Sequence, residues 1–338
     1  MNLLTPRQFQ FIQVGCGLIG RKRALALKNI PNAHLRYACD INLDRAKDLA
    51  ATSVGCEAVS LESALSDPSA SIVLISTLNG SLVPIALKAA QAGKHVLIEK
   101  PGALHSSELI DLQSEARKVG VKVRLSYNHR YHPSLQKARE LFDQGVLGPL
   151  MFIRGRYGHG GRLGYESEWR ANPSLSGGGE LIDQGVHLID LAQWFLGDFT
   201  SIDGHAETYF WKMKVDDNAF LSLKNAEGKT AWLQVSCTEW KNMFSFEIYG
   251  RDAKLSIEGL GGSYDQEKLT YYKMLPQMVP PDTKVYEFPP QDDSWKLEMQ
   301  EFISDIMDKR EPNPGLSEGI KILQVVEHIY KKSGYPKP

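Results

Sequence analysis

At 338 residues the chain exceeds what one ordinary hydrophobic core sustains, so two domains with a cleft between them are expected. Hydrophobic residues make up 42% and charged residues 23%, a balance that excludes a disordered or fibrous chain. The formal net charge of −1 supplies no global field for nucleic acid or an anionic membrane, so neither is expected as a partner and any phosphate must be held locally.

The N-terminal MNLLTPRQFQF lacks the uninterrupted apolar segment of a signal peptide, and no run approaches the roughly 18 apolar residues of a membrane span; a cytoplasmic protein is expected. Its four cysteines, Cys16, Cys39, Cys56 and Cys237, show no CxxC spacing. They read as reduced packing residues rather than a disulfide frame or a zinc site, and no metal is expected.

From residue 8 to about 127, short β-rich runs alternate with helical patterns: QFIQV then LIGRKRALALKNI, HLRYACD then LDRAKDLAATS, SIVLIST then SLVPIALKAAQAG, HVLIEK then SSELIDLQSEARKVG, and finally VKVRLSY. That rhythm predicts an α/β Rossmann domain over 1–127, a parallel sheet with helices on both faces.

The pattern changes at 128. HPSLQKARELFDQG is a helix, the stretch to 175 is loop-rich, 180–196 is helical, and FLSLKN, TAWLQVSCTEW, MFSFEIYG, AKLSIEG and KLTYYK then follow as antiparallel neighbours. A proline-rich excursion at 276–290 and two closing helices complete an α+β domain assigned to 128–338.

Gly15, Gly17 and Gly20 form GCGLIG between a strand and a helix. The first permits a tight turn, the second a close approach of backbone to a pyrophosphate, and the third close packing of helix on strand. Asp40 follows 20 residues after Gly20 at a strand end, where a carboxylate accepts from both ribose hydroxyls and repels a 2′-phosphate, so NAD is expected over NADP. Arg45 stands near enough to a 2′-phosphate to weigh on the other side.

Lys100, in AGKHVLIEKPGAL, stands at a strand's carboxyl end, where ligands collect in open α/β sheets. In SGGGELIDQGVHLID, Ser176 can cap a helix whose first turn carries Glu180, with Asp183 and His187 at i and i+4 on one face. Taken alone, this stretch suits a packing histidine as well as a proton-transfer site.

In this order and spacing, GCGLIG, AGKHVLIEKP and SGGGELIDQGVHLIDL resemble the Gfo/Idh/MocA oxidoreductase family, with SYNHRYHP at 126–133 similar to its interdomain segment. The resemblance implies a second domain built on a large, mainly antiparallel open sheet, and assembly as a homodimer or homotetramer. It implies Lys100, Asp183 and His187 as catalytic residues. It also implies cofactor contacts from Gly15, Cys16, Gly17, Leu18, Ile19, Gly20, Asp40, Arg45, Ser76, Thr77, Asn79, Glu99, Lys100 and Asn128. STLNGSLVPIA departs from the family's TPNxxHxP, with Leu78 for proline and Leu82 for histidine.

Arg156, His159, Arg162, Trp169 and Arg170, in and beside RGRYGHGGRLGYESEWR, join Asp183 and His187 as candidate substrate contacts. Such a loop can grip a polyhydroxylated or anionic ligand, although each arginine also suits a surface ion pair. The resemblance implies a polyol substrate among sugars, inositols and nucleotide sugars, and the arginine density tilts toward one that carries a phosphate or carboxylate. The expected reaction is hydride transfer between a secondary alcohol of a sugar, inositol or nucleotide sugar and nicotinamide, with His187 as acid/base and Lys100 stabilising the alkoxide. An NAD-dependent glycosidase using transient oxidation, or a non-catalytic dinucleotide sensor, are the alternatives.

Overall fold

The computed structural model describes residues 8–277 and 279–335. The first seven residues, which carry most of the segment read as lacking a signal sequence, lie outside them. The chain divides into two compact units. One holds the described residues up to Tyr127 together with Trp295–Ile320, and the other holds Asn128–Ser294 and the described residues from Lys321 onward. Residues 295–320, assigned from sequence to the second domain, thus belong with the first. The reason is apolar packing: Met299, Phe302, Ile303 and Ile306 share a buried core with Phe11, Leu27, Leu35 and Ile72.

The first unit contains strands β1 (Phe9–Val14), β2 (Ala33–Cys39), β3 (Glu57–Ala58), β4 (Ala70–Ile75), β5 (His95–Glu99) and β6 (Val123–Ser126). Helices α1 (Leu18–Leu27), α2 (Leu43–Ala50), α3 (Leu61–Ser66), α4 (Asn79–Gln91) and α5 (Ser106–Val119) connect them. The sheet is wholly parallel, in the order β3-β2-β1-β4-β5-β6. Ile72, Val73, Leu74 and Ile75 are all fully buried, the continuous apolar run of a strand covered on both faces. The order reverses between β1 and β4, so their carboxyl ends, Val14 and Ile75, diverge where such sheets bind ligands.

The second unit holds α6 (Pro133–Asp143), a short α7 (Pro173–Ser176) and α8 (Val186–Leu196), besides strands β7 (Leu150–Gly158), β8 (Phe199–Glu207), β9 (Asn218–Asn225), β10 (Thr230–Ser236), β11 (Met243–Gly250), β12 (Ala253–Glu258), β13 (Lys268–Lys273) and β14 (Asp282–Glu287). α9 (Ser294–Met307) and α10 (Leu316–Ser333) close the chain. The sheet order is β14-β13-β12-β11-β7-β10-β9-β8, antiparallel throughout except for the parallel pair β7/β10.

Two local expectations are corrected. β7 lies at the middle of the sheet, although its residues were read as loop. Its glycines and arginines hide an alternation in which Ile153, Gly155 and Tyr157 are buried while Phe152, Arg154 and Arg156 are exposed. Edge strands β8 and β14 escape notice for a similar reason, being polar and largely solvent-facing. A β-carbon on Gly155 would come within 3.4 Å of Leu188, so α8 covers the buried face of the sheet. The second correction concerns 180–196, which is not one α-helix: Leu181–Gly185 forms a π-helical turn before α8 begins.

All four cysteines are free, and no helix among the described residues is long and apolar enough to cross a membrane.

Candidate active site

In the first unit the three glycines differ in what enforces them. Gly15 has φ +86° and its β-carbon would lie 2.3 Å from the Ser76 carbonyl; that of Gly20 would lie 1.9 Å from the Gly15 carbonyl. Both are demanded by the fold itself. Gly17 has nothing within 4 Å of its β-carbon position, so the protein leaves that side open. It is also the N-cap of α1, where no side chain caps the helix and no acid stands in the first turn. Uncapped amides with the positive end of the helix dipole form a ready anion site.

Asp40 is oriented by two backbone donors, the Cys16 amide at 2.7 Å and the Asn42 amide at 2.8 Å. Its carboxylate thus sits against the glycine loop at the end of β2. Cys16 is buried, and burial followed by the Asp40 charge pushes its thiol up to about 12, so it packs as an uncharged group. Arg45 lies exposed in the first turn of α2, its amide bound by the Asn42 side chain at 3.3 Å.

Three apolar side chains stand exposed at these strand ends: Leu18 in the glycine loop, Ile41 after β2 and Leu78 after β4. Large exposed apolar groups beside an anion site suit the flat faces of a dinucleotide's rings. Ile41 was not singled out from sequence; its apolar character directly after Asp40 was the available signal. Ser76 touches the glycine loop, its amide donating to Val14 O at 2.8 Å, Thr77 Oγ1 donates to Leu78 O, and Asn79 is buried at the start of α4. Leu82, where the family commonly has histidine, is fully buried.

Glu99 ends β5, and Lys100 follows it, half-buried, joined to Pro101 by a cis peptide. Glu99 Oε1 accepts from Arg23 Nε at 2.8 Å. Arg23 is fully buried in α1, pairs also with Glu298 at 2.6 Å, and hydrogen-bonds Ser126. Burial opposes its charge, but Glu99 and Glu298 outweigh that and raise its pKa. The helix after the glycine loop is thereby fastened to the end of the strand that presents Lys100. A buried arginine inside an otherwise soluble-looking helix pattern gives no sequence signal of such a partner.

In the second unit, Asn128–Tyr131 forms a 3-10 turn beginning with Asn128, whose Nδ2 donates to Ser294 Oγ at 2.9 Å. Arg130 grips Asp190 through two bonds, at 2.8 and 2.6 Å, so Asp190 serves to anchor this turn to α8. Between them, His129 stacks on His187: ring centroids are 3.7 Å apart and the planes 19° from parallel. His187 is 4% exposed. Tyr157 of β7 stands edge-on to both rings.

The expected Ser176 cap is not made. Ser176 ends α7, and Gly177 beyond it adopts φ +83°. The amides of Gly179 and Leu181 are instead capped by the two carboxylate oxygens of Asp216, each at 2.8 Å, with the Tyr330 hydroxyl donating to Oδ1 at 2.7 Å. Burial raises Asp216 to about 6 against the pull of these donors. A carboxylate 35 residues downstream cannot be identified as a cap from local spacing.

Asp183, in the π-turn, accepts from Arg170 Nε at 3.1 Å. Trp169 lies under the Arg170 guanidinium at 4.7 Å, and Arg162 pairs with Glu168 at 2.6 Å. Beside them Glu180, 1% exposed, accepts from Tyr165 OH at 2.7 Å and faces His159 Nε2 at 3.5 Å. Burial disfavours a charged His159, but the Glu180 carboxylate outweighs it, raising the histidine's pKa. The structure therefore gathers His159, Arg170 and Asp183 around the π-turn. Arg156 is separate: it projects from the opposite face of β7 from Tyr157, beside Gln234 and Glu239.

Residues 9–127 match the oxidoreductase family with an NAD-binding Rossmann fold, and residues 135–256 match the Gfo/Idh/MocA C-terminal domain. Glucose-6-phosphate 3-dehydrogenase of Bacillus subtilis is 26% identical over 343 aligned positions, covering 96% of each chain. Levoglucosan dehydrogenase of Pseudarthrobacter phenanthrenivorans is 24% identical over 57% of this chain and 56% of its own length. A solved structure of levoglucosan dehydrogenase in complex with NADH and levoglucosan superposes with a TM-score of 0.88 over 98% of both chains, at 21% identity, a likeness of fold. The chain is an NAD-binding oxidoreductase of the Gfo/Idh/MocA family.

Proposed function

We propose that the protein is a dehydrogenase that transfers hydride between a secondary alcohol of an uncharged sugar or polyol and NAD. The observation that carries this reading is His187, held flat against His129 on the helix whose preceding π-turn presents Asp183. An imidazole that both accepts and returns a proton near neutral pH suits the alcohol's O–H, which must lose its proton as the carbon is oxidised.

The glycine loop, the open side of Gly17 and Asp40 fit the pyrophosphate and adenosine ribose of NAD. NAD, when bound, supplies the hydride acceptor. His187 takes the hydroxyl proton, Lys100 stabilises the developing alkoxide, and Asp183, clamped by Arg170, holds a substrate hydroxyl. Arg162 and Arg170 are already neutralised by Glu168 and Asp183, which leaves no free cationic cradle in this loop for a substrate phosphate. Relatives named for levoglucosan, D-xylose and scyllo-inositol support the same substrate class, whereas glucose-6-phosphate 3-dehydrogenase is named for a phosphorylated sugar.

The exposed face of the second sheet, with Trp232, Phe152 and the Arg154–Glu247 and Arg156–Glu239 pairs, suits a second copy of the chain, and we assign homo-oligomerisation to it. Sedimentation of the pure protein tests that assignment. Four uncrosslinked cysteines suit the cytoplasm.

The function is tested by NADH formation on a panel of D-glucose, D-xylose, levoglucosan, scyllo-inositol and glucose 6-phosphate. Stoichiometric NADH supports a dehydrogenase. Aglycone release from glucosides without net NADH indicates the glycosidase, and NAD binding with no turnover indicates a sensor.

A further inference from the structure

Tyr264 belongs to a tight loop after β12, GLGGSY, in which Gly259, Gly261 and Gly262 have φ of +74°, +54° and +72°. A β-carbon on Gly261 would meet His132 Cε1 at 2.9 Å, and one on Gly262 would meet the Pro290 carbonyl at 2.9 Å. The loop is thus folded tightly onto its surroundings, and Glu267 holds it there. This carboxylate is 1% exposed and accepts from the Gly261 amide at 3.1 Å, the Ser134 amide at 2.8 Å and His132 Nδ1 at 3.2 Å. His132 in turn packs edge-on to His129.

The product of this construction is the placement of one phenol. The half-buried Tyr264 ring lies 5.1 Å from that of Tyr157, with the planes tilted by 59°, so the two phenols stand side by side. Tyr157 is the ring that stands edge-on to His129 and His187. Both phenols feel the carboxylates of Glu180 and Asp183. Burial, together with those charges, keeps both tyrosines protonated, so the pair retains a hydroxyl proton to donate. Local sequence gives no hint of this convergence, because Tyr264 is 77 residues from His187 and follows glycines that read as an ordinary turn.

We propose that Tyr264, with Tyr157, is a specificity-determining residue: the paired phenols bind a second hydroxyl of the polyol, next to the one oxidised. This rests on the dehydrogenase reading above. A site built to hydrogen-bond a substrate hydroxyl rejects the analogue that lacks it, because its own polar groups are then left unpaired.

The test compares wild type, Tyr264→Phe, Tyr157→Phe and the double variant. Each is assayed on the best substrate found among D-glucose, D-xylose, levoglucosan and scyllo-inositol, and on its monodeoxy analogues. Wild type should prefer the parent over at least one analogue by tenfold or more in kcat/KM. In Tyr264→Phe that ratio should fall toward unity, mainly through a higher KM for the parent, with NADH affinity and melting temperature unchanged. Tyr157→Phe should lose the same discrimination, and the double variant should be no worse than either single one, since the phenols act as a unit. Unchanged ratios in Tyr264→Phe overturn the assignment while leaving the dehydrogenase standing, as does equal loss on parent and analogues. A wild type that reduces NAD on none of the polyols overturns both.

Discussion

The imidazole of His187 lies on that of His129, with ring centroids 3.7 Å apart and planes within 19°. Two imidazolium charges at that spacing would repel by roughly 4 kcal/mol at an effective dielectric near 20, which disfavours charging both rings at once. His187→Ala should lower kcat about a hundredfold or more while NADH binding, followed by fluorescence titration, stays within twofold. Lys100→Ala should act with similar size on kcat. His129→Phe, which keeps a flat ring under His187, should retain most of the turnover that His129→Ala loses. Equal turnover in wild type and both His187→Ala and Lys100→Ala would remove these residues from the chemistry.

Arg170 and Arg156 are indistinguishable by residue type and close in sequence, yet the sheet separates them. Arg170 orients Asp183, whereas Arg156 lies on the face of β7 opposite Tyr157. Arg170→Ala should raise the KM for the polyol about tenfold, the size of one lost charge-assisted clamp on a substrate-binding carboxylate. Arg156→Ala should leave kcat and KM within twofold and alter only sedimentation. Steady-state kinetics on both variants checks the contrast, and a kinetic defect in Arg156→Ala would contradict the assignment of faces.

These contrasts show what the sequence carries. The parallel sheet is legible because buried strands such as SIVLI write continuous apolar runs, and the glycine loop because steric demands recur at fixed spacing. β7 is not legible, since its inward positions include Gly155 and its outward ones Arg154 and Arg156, which together resemble a loop. At the site, Asp183 and His187 are close in sequence and could be found. Their supports, His129, Tyr157, Asp216 and Tyr264, come from elements that meet only in the folded chain.

Asp216 gives a pH prediction of definite sign. Its folded pKa of about 6 lies above the ordinary 3.8, with burial as the main cause. Between those values the folded chain binds the extra proton, so the contribution of this group to stability is greatest below pH 4 and declines as pH rises through 6, by about 3 kcal/mol. Asp216→Asn removes that titration. It also sets an amide NH2 among three donors, the Gly179 and Leu181 amides and the Tyr330 hydroxyl, and should cost about 2 kcal/mol near neutrality. In urea unfolding from pH 4 to 7, the stability advantage of wild type over the variant should therefore shrink as pH rises. An advantage that grows with pH would contradict the raised pKa.

The three glycines of the loop separate the fold from the ligand. Gly20→Ala drives a β-carbon to within 1.9 Å of the Gly15 carbonyl, backbone that cannot yield without moving β1, and Gly15→Ala adds a left-handed φ to a similar clash with Ser76. Each should destabilise the unit by about 3 kcal/mol or more, seen as a lowered midpoint in urea. Gly17→Ala meets no protein atom within 4 Å and has a backbone any residue adopts, φ −74° and ψ −162°, so the melting temperature without NAD should be unchanged. Its methyl group instead occupies the open side of α1's first turn, where the pyrophosphate is expected. NAD affinity should therefore fall tenfold or more, and the thermal shift that NAD gives wild type should largely vanish. A Gly17→Ala protein that binds NAD normally would move the phosphate away from this helix end.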